Sequence, residues 1–590
     1  MKDKVKIFSI LLILSCLISF NCFNSFDFLK TQNNEANDNI EGSGFSIRYF
    51  SVYYSSRNLK YEVYELYDKN AVAIAKYKNS YNVSGWAELS IQTNKNYSDT
   101  IQAFGAGYLE GYITSEKIYD HYLNLRKANW KNEDLPNNIK EFLTKQNDYI
   151  QSLVKVFENN VNKGVENDIY STTALNIYYQ FIGMFHGYNA KAAYDSHLES
   201  LDLIQFHVVG SSFDLDDLVN YKVPTKDLSK MESYEILRYF SKKSHCSAII
   251  KLKADYSDLW VAHNTWTNYQ ISTRILKTYE LNFNDSKADS AKKVSFSSYP
   301  GSLNSGDDFY VTSNDLVVIE TTNPILDLKL FSKLNYETLF TWHRNIIANR
   351  LAKDGEEWVH YFVQNNSGTY NNQFMIVDLK KVDTNKKTVE DEALVIVEQI
   401  PGDYRIEDVT KYLKHGFWNS YNIPFNNEIR EKSGYDKILA DKGKDPKYGN
   451  KINSTLNYFN NSRANIFRLR GSKLETMDDI KNLMRYNDYK NDELSLNSPI
   501  FSIASRMELE DDEKLRACEG AFDVKVVSIN EIKGVENKKI HAVSGPPSGG
   551  DSKIPIFKWS DYEICGGKAP KGMINTFNFQ WIEYEGNPPL

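Results

Sequence analysis

Two residues in the stretch SHCSAIIKLKADYSDLWVAHNTW, residues 244–266, are of types that can do covalent chemistry: Cys246 and His263. A thiolate attacks carbonyl carbon, and for this it needs a lowered pKa or a nearby base. One such base is the nucleophile's own α-amine, exposed if the chain is cut immediately before Cys246. An α-amine has an ordinary pKa of about 7.7–8.0 and can take the thiol proton directly or through water. The small Ser247 and Ala248 that follow, leading into an apolar run, suit a residue at the first position of a strand. His263 is a candidate partner if it shares a sheet face with Cys246, which an even-numbered loop between the two strands provides. A tight two-residue turn brings the pair opposite or diagonal, within about 8 Å. A four-residue loop over Asp255–Asp258 separates them by two more steps, and a bulge changes either outcome. A satisfied structural histidine is the alternative reading of His263.

Cysteine arithmetic also singles out Cys246. The five cysteines are Cys16, Cys22, Cys246, Cys518 and Cys565. The N-terminus reads MKDKVKIFSILLILSCLISFNCFNSFDF, with a basic start at Lys2, Lys4 and Lys6 and an apolar run from Ile7 to Phe20. That run is short for a membrane span and fits a secretory signal, residues 1–24, cleaved between about residues 20 and 26; a signal anchor is the alternative. Its removal takes Cys16 and Cys22 away and leaves three cysteines for an oxidising compartment. Cys518 and Cys565 lie in one C-terminal segment and are the expected disulfide, so Cys246 is left free. A free thiol there is either buried and inert or functional.

Other chemistries lack their motifs. The chain has no G-x-S-x-G, no H-E-x-x-H, no Walker A and no G-x-G-x-x-G, and its 10 histidines and few cysteines show no metal-ligand spacing. Neither a metal nor a cofactor is expected. The net charge of -7 offers no basic face for nucleic acid. Six N-x-[ST] sequons, at Asn82, Asn96, Asn284, Asn365, Asn453 and Asn460, agree with a secreted glycoprotein. After the signal, no segment is long and apolar enough to span a bilayer.

The elements that must position Cys246 follow from the hydrophobic pattern. Residues 25–42 are polar and Asn-rich, a loose leader. Alternating runs from Phe45, Tyr61, Ala71 and Gly85 predict strands. A 3/4 spacing then predicts helices, one beginning after Thr114 or Ser115, one over Ile139–Phe157 and a buried one over Leu175–Phe185. From Leu203 strand patterning returns. CSAIIKLKA and LWVAHNTW flank DYSD as a hairpin, and KVSFSSYPGSL, FYVTSNDLVVIETTN and MIVDLKKV continue it. A helix is expected over Tyr336–Ala352, and short strands over 386–400 and 520–530. Strands, helices, strands and helices in that order imply an α+β or layered architecture rather than a βαβ array.

The segment resembles the nucleophile hairpin of the phospholipase B-like family, secreted or lysosomal N-terminal nucleophile hydrolases. SSYPGSLNSGDDFYV, NNSGTYNNQFMIVDLK, EQIPGDYRIEDVT, GFWNSYNIPFN, RANIFRLR, CEGAFDVKV and HAVSGPPSGG also resemble its pattern, so the likeness spans nearly all the mature chain. It implies an αββα four-layer sandwich. It also implies a proenzyme whose fragments 25–245 and 246–590 form one globular unit, with Cys246 as nucleophile and new N-terminus. His263 matches the hairpin histidine, with Asn264, Thr265 and Trp266 beside it. Related sequences often carry Asp after this His, and Asn264 leaves no charge at that position. Asn371 and Asn372 lie in a site loop where an amide N–H can serve a tetrahedral oxyanion, or else form an Asx-type turn. Arg274 and Arg463 are candidates for substrate contact or structural charge pairing. The implied activity is deacylation of glycerophospholipids. An amidase acting on N-acyl substrates and a non-catalytic lipid-binding glycoprotein are the alternatives.

Overall fold

The computed structural model describes residues 46–131, 133–223, 226–284 and 291–589. The expected signal and leader, with Cys16 and Cys22, lie outside the described residues. The alternating N-terminal runs form the strands Arg48–Ser55, Lys60–Tyr64, Ala73–Lys78 and Ala87–Thr93. Four long helices follow, Asp99–Ile113, Ser115–Trp130, Asn137–Lys163 and Ile169–Ala192. The first and last of these pack with almost no space between their backbones. A Cβ on Gly107 would lie 1.8 Å from the Gln180 carbonyl oxygen, and one on Gly187 would lie 2.0 Å from that of Tyr108.

Two expectations change. Leu203–Gly210 is a helix, not the return of strands, because Asp202 and Gln205 form a reciprocal capping box that fixes its first turn. A second helix, Ser233–Lys243, leads directly to Cys246. The helix expected from Tyr336 begins only at Thr341, since Leu339 is held extended in a bridge to Asn366.

The strands form two large sheets. One has eleven strands, antiparallel except where Ala87–Thr93 runs parallel to Ile275–Glu280. The other has six antiparallel strands in the order Phe417–Ser420, Cys246–Leu252, Leu259–Asn268, Glu519–Ser528, Lys539–Ser544 and Ile582–Glu585. Period-two alternation sorts their side chains between two faces. Ala248, Ile250, Leu259 and Val261 of the smaller sheet share one buried cluster with Leu276, Val317, Ile319 and Met375 of the larger. The alternate residues, such as Ile249, Trp260, Val318 and Phe374, join the cluster that includes Trp358 and Phe362 from one set of helices and Phe467, Ile480 and Met484 from another. The two sheets thus stack face to face with helices outside, a mixed α+β architecture. Residues 46–245 supply four strands of the larger sheet and the four long helices; residues from Cys246 onward supply its other seven strands, with the helices Thr341–Leu351 and Gly355–Phe362. Cys518 and Cys565 are joined by a disulfide, and Cys246 is free and buried.

Candidate active site

Cys246 is the first residue of its strand, and the hairpin register pairs it with Thr265 and pairs Ala248 with His263. Cys246 and His263 are therefore diagonal neighbours on the face turned toward the larger sheet. The hairpin closes where the Lys253 N–H donates to the Asp258 carbonyl at 3.0 Å. Tyr256 in its loop carries a left-handed φ of 63°.

A third group meets them. Sγ of Cys246 lies 3.4 Å from Oε1 of Glu320, which also accepts the Tyr370 hydroxyl at 3.1 Å. The ligand-type atoms of Cys246, His263 and Glu320 all fall within 4.8 Å of one another. Neither ring nitrogen of His263 makes a hydrogen bond of normal geometry, and Oε2 of Glu320 has no partner among the described residues. Burial pushes the thiol well above its ordinary pKa, and the Glu320 carboxyl adds to this. Burial, with Asp308 beside it, pushes Glu320 well up. Burial and the Lys525 ammonium hold His263 well below its ordinary value. All three groups therefore rest in their neutral forms.

Around them is a balanced charge cluster. Arg274 pairs with Asp307 at 2.8 Å and with Asp523 at 2.8 Å, and Lys525 pairs with Asp523 at 2.6 Å and also with Asp307. The Thr265 hydroxyl donates to Asp307 at 2.6 Å. Two cations and two anions cancel, so the cluster can stay dry. The flanking cations hold Asp307 far below the carboxylate range. Asp308 and Tyr370 carry left-handed φ values of 41° and 49°, local strain of the kind that clusters at functional sites.

Arg463 grips the backbone of Cys246. Its guanidinium donates to the Cys246 carbonyl at 2.7 Å, the Ser247 hydroxyl at 3.2 Å, the Asn422 side-chain oxygen at 2.9 Å and the Tyr421 carbonyl at 2.7 Å. It lies 4.4 Å from the centre of the Trp266 ring. None of these partners is a carboxylate, and burial pulls its pKa down to about 9.

The other expected residues are placed as follows. Asn264 faces away from Cys246 by strand alternation, its amide donating to the Met484 carbonyl. Trp266 donates its indole N–H to Ile503 at 3.2 Å, and its backbone N–H donates to the carbonyl of His245. Arg274 is fully buried in its ion pairs and holds the Asp307–Asp523 cluster; a substrate contact is closed to it. Asn371 donates to Asp217 at 3.0 Å and to the Gly368 carbonyl at 2.9 Å. Asn372 pairs with Thr322, one diagonal step from Glu320, and both polar atoms of its amide are buried without a partner. Asn82, Asn96, Asn284, Asn365 and Asn460 are exposed. Asn453 is half-buried and spends its amide nitrogen on the Gly443 and Gly449 carbonyls at 2.9 and 2.8 Å, which conflicts with a glycan there.

A cavity of about 330 Å³ lies over the hairpin, lined by Phe213, Asp216, Lys243, Ser244, His245 and Trp266. The peptide bond between residues 245 and 246 thus joins a cavity-lining histidine to a fully buried cysteine. Glu320, Asp307, Lys525 and Tyr370 were missed in the sequence. The signal was present: Glu320 is a lone carboxylate inside the apolar run LVVIETT, and Asp523 and Lys525 alternate within the apolar AFDVKVV.

Among known families, the model of the phospholipase B family matches residues 73–584. The chain belongs to that family. It is 35% identical to phospholipase B-like protein D of Dictyostelium discoideum, with 93% of each chain covered. It is 31% identical to a phospholipase B of Crotalus adamanteus, covering 91% of this chain and 92% of that one. It is 32% identical to phospholipase B-like 1 of Bos taurus over the same shares. Among the described residues, no helix is long and apolar enough to cross a membrane.

Proposed function

We propose that this chain is an acyl-ester hydrolase of the N-terminal nucleophile class, cut before Cys246 and acting on glycerophospholipids. The observation that carries the reading is the placement of Cys246: free, first in its strand, with the preceding carbonyl held by the Trp266 N–H and its own carbonyl held by Arg463. In the uncut chain Sγ attacks the His245 carbonyl carbon, and the ionised fraction of Glu320, 3.4 Å away, takes the thiol proton. The developing oxyanion receives the Trp266 N–H. The C–N bond breaks, the proton passes to the departing nitrogen, and water hydrolyses the resulting thioester.

The freed α-amine then serves the thiol in turnover. The thiolate adds to the ester carbonyl, the amine returns its proton to the leaving alcohol, and water releases the fatty acid from the acyl-enzyme. Neutral His263 orients the thiol or the substrate, and Asn372, with its unspent amide, is the candidate oxyanion donor. The names of the relatives support a phospholipid substrate. The N-terminal segment and the exposed sequons support passage through the secretory route to the exterior or a lysosome-like compartment, with Asn82, Asn96, Asn365 and Asn460 as glycan acceptors; Asn284, though exposed, donates its amide nitrogen to the Tyr97 carbonyl at 2.9 Å and to Asp99 at 3.3 Å.

The test is N-terminal sequencing of the purified protein together with fatty-acid release from phosphatidylcholine vesicles. A new N-terminus at Cys246, lost in Cys246→Ala, and release abolished by thiol alkylation are expected. Activity in a chain intact across 244–247 refutes the reading. Release from an N-acyl analogue alone makes the protein an amidase, and binding without turnover makes it a carrier.

A further inference from the structure

We infer that Cys246, His263 and Glu320 form a buried binding site for a zinc ion, and that the ion, when bound, holds the thiol out of reaction. Three independent observations converge on this. The three ligand-type atoms lie within 4.8 Å of one another, with Sγ and Oε1 3.4 Å apart. Ligands at about 2.0–2.3 Å around a tetrahedral ion are separated by that order of distance. Neither His263 nitrogen makes a hydrogen bond of normal geometry and Oε2 of Glu320 has no partner among the described residues, although a buried polar atom normally has one. A thiolate, an imidazole and a carboxylate are a donor set that suits zinc, and three protein ligands leave a fourth position open for water.

Charge balance favours the ion as well. The neighbouring Arg274, Lys525, Asp307 and Asp523 sum to zero, and the Arg463 guanidinium on the Cys246 carbonyl adds a single positive charge, less than a thiolate and a carboxylate ionised together carry. Ionising both groups with no further cation leaves net negative charge in a fully buried site. A dication reverses this. Zn²⁺ binds, the Cys246 thiol and the Glu320 carboxyl each release one proton, neutral His263 gives a lone pair, and the site remains uncharged. The site uses side chains only, so it exists whether or not Cys246 is the nucleophile. If Cys246 is the nucleophile, an occupied site blocks both the cut and turnover.

The test uses the full-length protein secreted into zinc-supplemented medium, its metal content measured by mass spectrometry. Affinity is then measured by competition with a chromophoric chelator, and Co²⁺ is substituted for the visible spectrum. One zinc per chain and a thiolate-to-cobalt charge-transfer band are expected, the band disappearing in Cys246→Ala. Glu320→Gln keeps the shape of the side chain and should weaken zinc by more than about tenfold, since even outer partners of a metal ligand are worth 10–100-fold. His263→Gln should do the same. Because two protons leave, affinity should fall by up to about a hundredfold per unit as the pH is lowered. No bound zinc in the secreted protein overturns the inference. So does zinc that Glu320→Gln holds as tightly as the parent and that gives no thiolate band, an adventitious ion only.

Discussion

Arg463→Lys tests how Cys246, the proposed nucleophile, is held. The guanidinium reaches four acceptors at once, two of them backbone carbonyls, one belonging to Cys246 itself. A lysine keeps the charge but has three donors on a flexible stem and cannot reproduce the fork. Two lost contacts, at about 1.5–3 kcal/mol for each hydrogen bond to a charged group, amount to about 3–6 kcal/mol of local stabilisation. The Cys246 carbonyl is then free to shift, and a displacement of about 1 Å at a reacting atom can cost about 10²-fold in rate. The cut before Cys246 is read from the time course of fragments on a denaturing gel, and turnover from fatty-acid release by the fraction already cut. Arg463→Lys should slow the cut about 10²-fold and lower kcat with KM little changed, because the nucleophile rather than the substrate has moved. Arg463→Gln removes the charge too, so the pH profile of thiol alkylation should shift upward in that variant and not in the lysine one. A lysine variant cut at the parental rate, together with an unchanged thiol titration in the glutamine variant, refutes the reasoning. Lower melting temperatures alone would leave Arg463 a purely structural residue.

Stability should decline from pH 6.5 to 8. Asp308, pushed up to about 8, and Glu320, pushed well up, keep protons in the folded state that the unfolded chain has already released, so their contribution is full at low pH and is lost as pH rises, by up to about 1.4 kcal/mol per unit for each. His121 at about 3, with His186, His207 and His343 at about 4, act in the opposite sense, their contribution being lost as pH falls below about 6.5. Asp214, Asp217 and Glu398, each raised to about 6, act in the same sense as Asp308, so below about 6 the carboxyl and histidine contributions oppose one another. Denaturant melts across this range decide it, and stability that rises from pH 6.5 to 8 contradicts it. Gly107→Ala drives a methyl into the Gln180 carbonyl at 1.8 Å and should destabilise by about 1–3 kcal/mol or more, with activity per folded molecule retained; an unchanged melting temperature refutes the close helix pair.

Much of the fold was legible because each sheet buries both faces. Strands such as Cys246–Leu252 and Leu394–Ile400 are buried at every position, so their apolar runs stand out. The failures came where local chemistry overrode pattern. Leu203–Gly210 reads LIQFHVVG, a strand-like composition, yet the Asp202–Gln205 box makes it a helix. The pairing of the sheets was not legible at all. The parallel contact of Ala87–Thr93 with Ile275–Glu280 brings the two sides of the expected cut into one sheet, and no local signal encodes a partner nearly two hundred residues away.

The site divides along the same line. Cys246 and His263 were legible as a pair because both sit on one hairpin, where a four-residue turn over 254–257 fixes the register and alternation fixes the face. Alternation equally determines that Asn264 faces the other way, its amide spent on the Met484 carbonyl, so the residue at that position leaves the thiol's own surroundings untouched. Glu320 could not be placed from sequence, since it meets Cys246 only through the stacking of one sheet on the other. Yet Glu320 changes the chemistry most. Without it, Cys246 is a buried thiol beside a neutral histidine. With it, the sulfur touches a carboxyl that can accept its proton only once ionised, with a neutral four-charge cluster behind. The resting state is therefore a protonated, uncharged pocket, and whatever ionises it, a cut that frees an amine or a cation that displaces two protons, determines what the thiol does next.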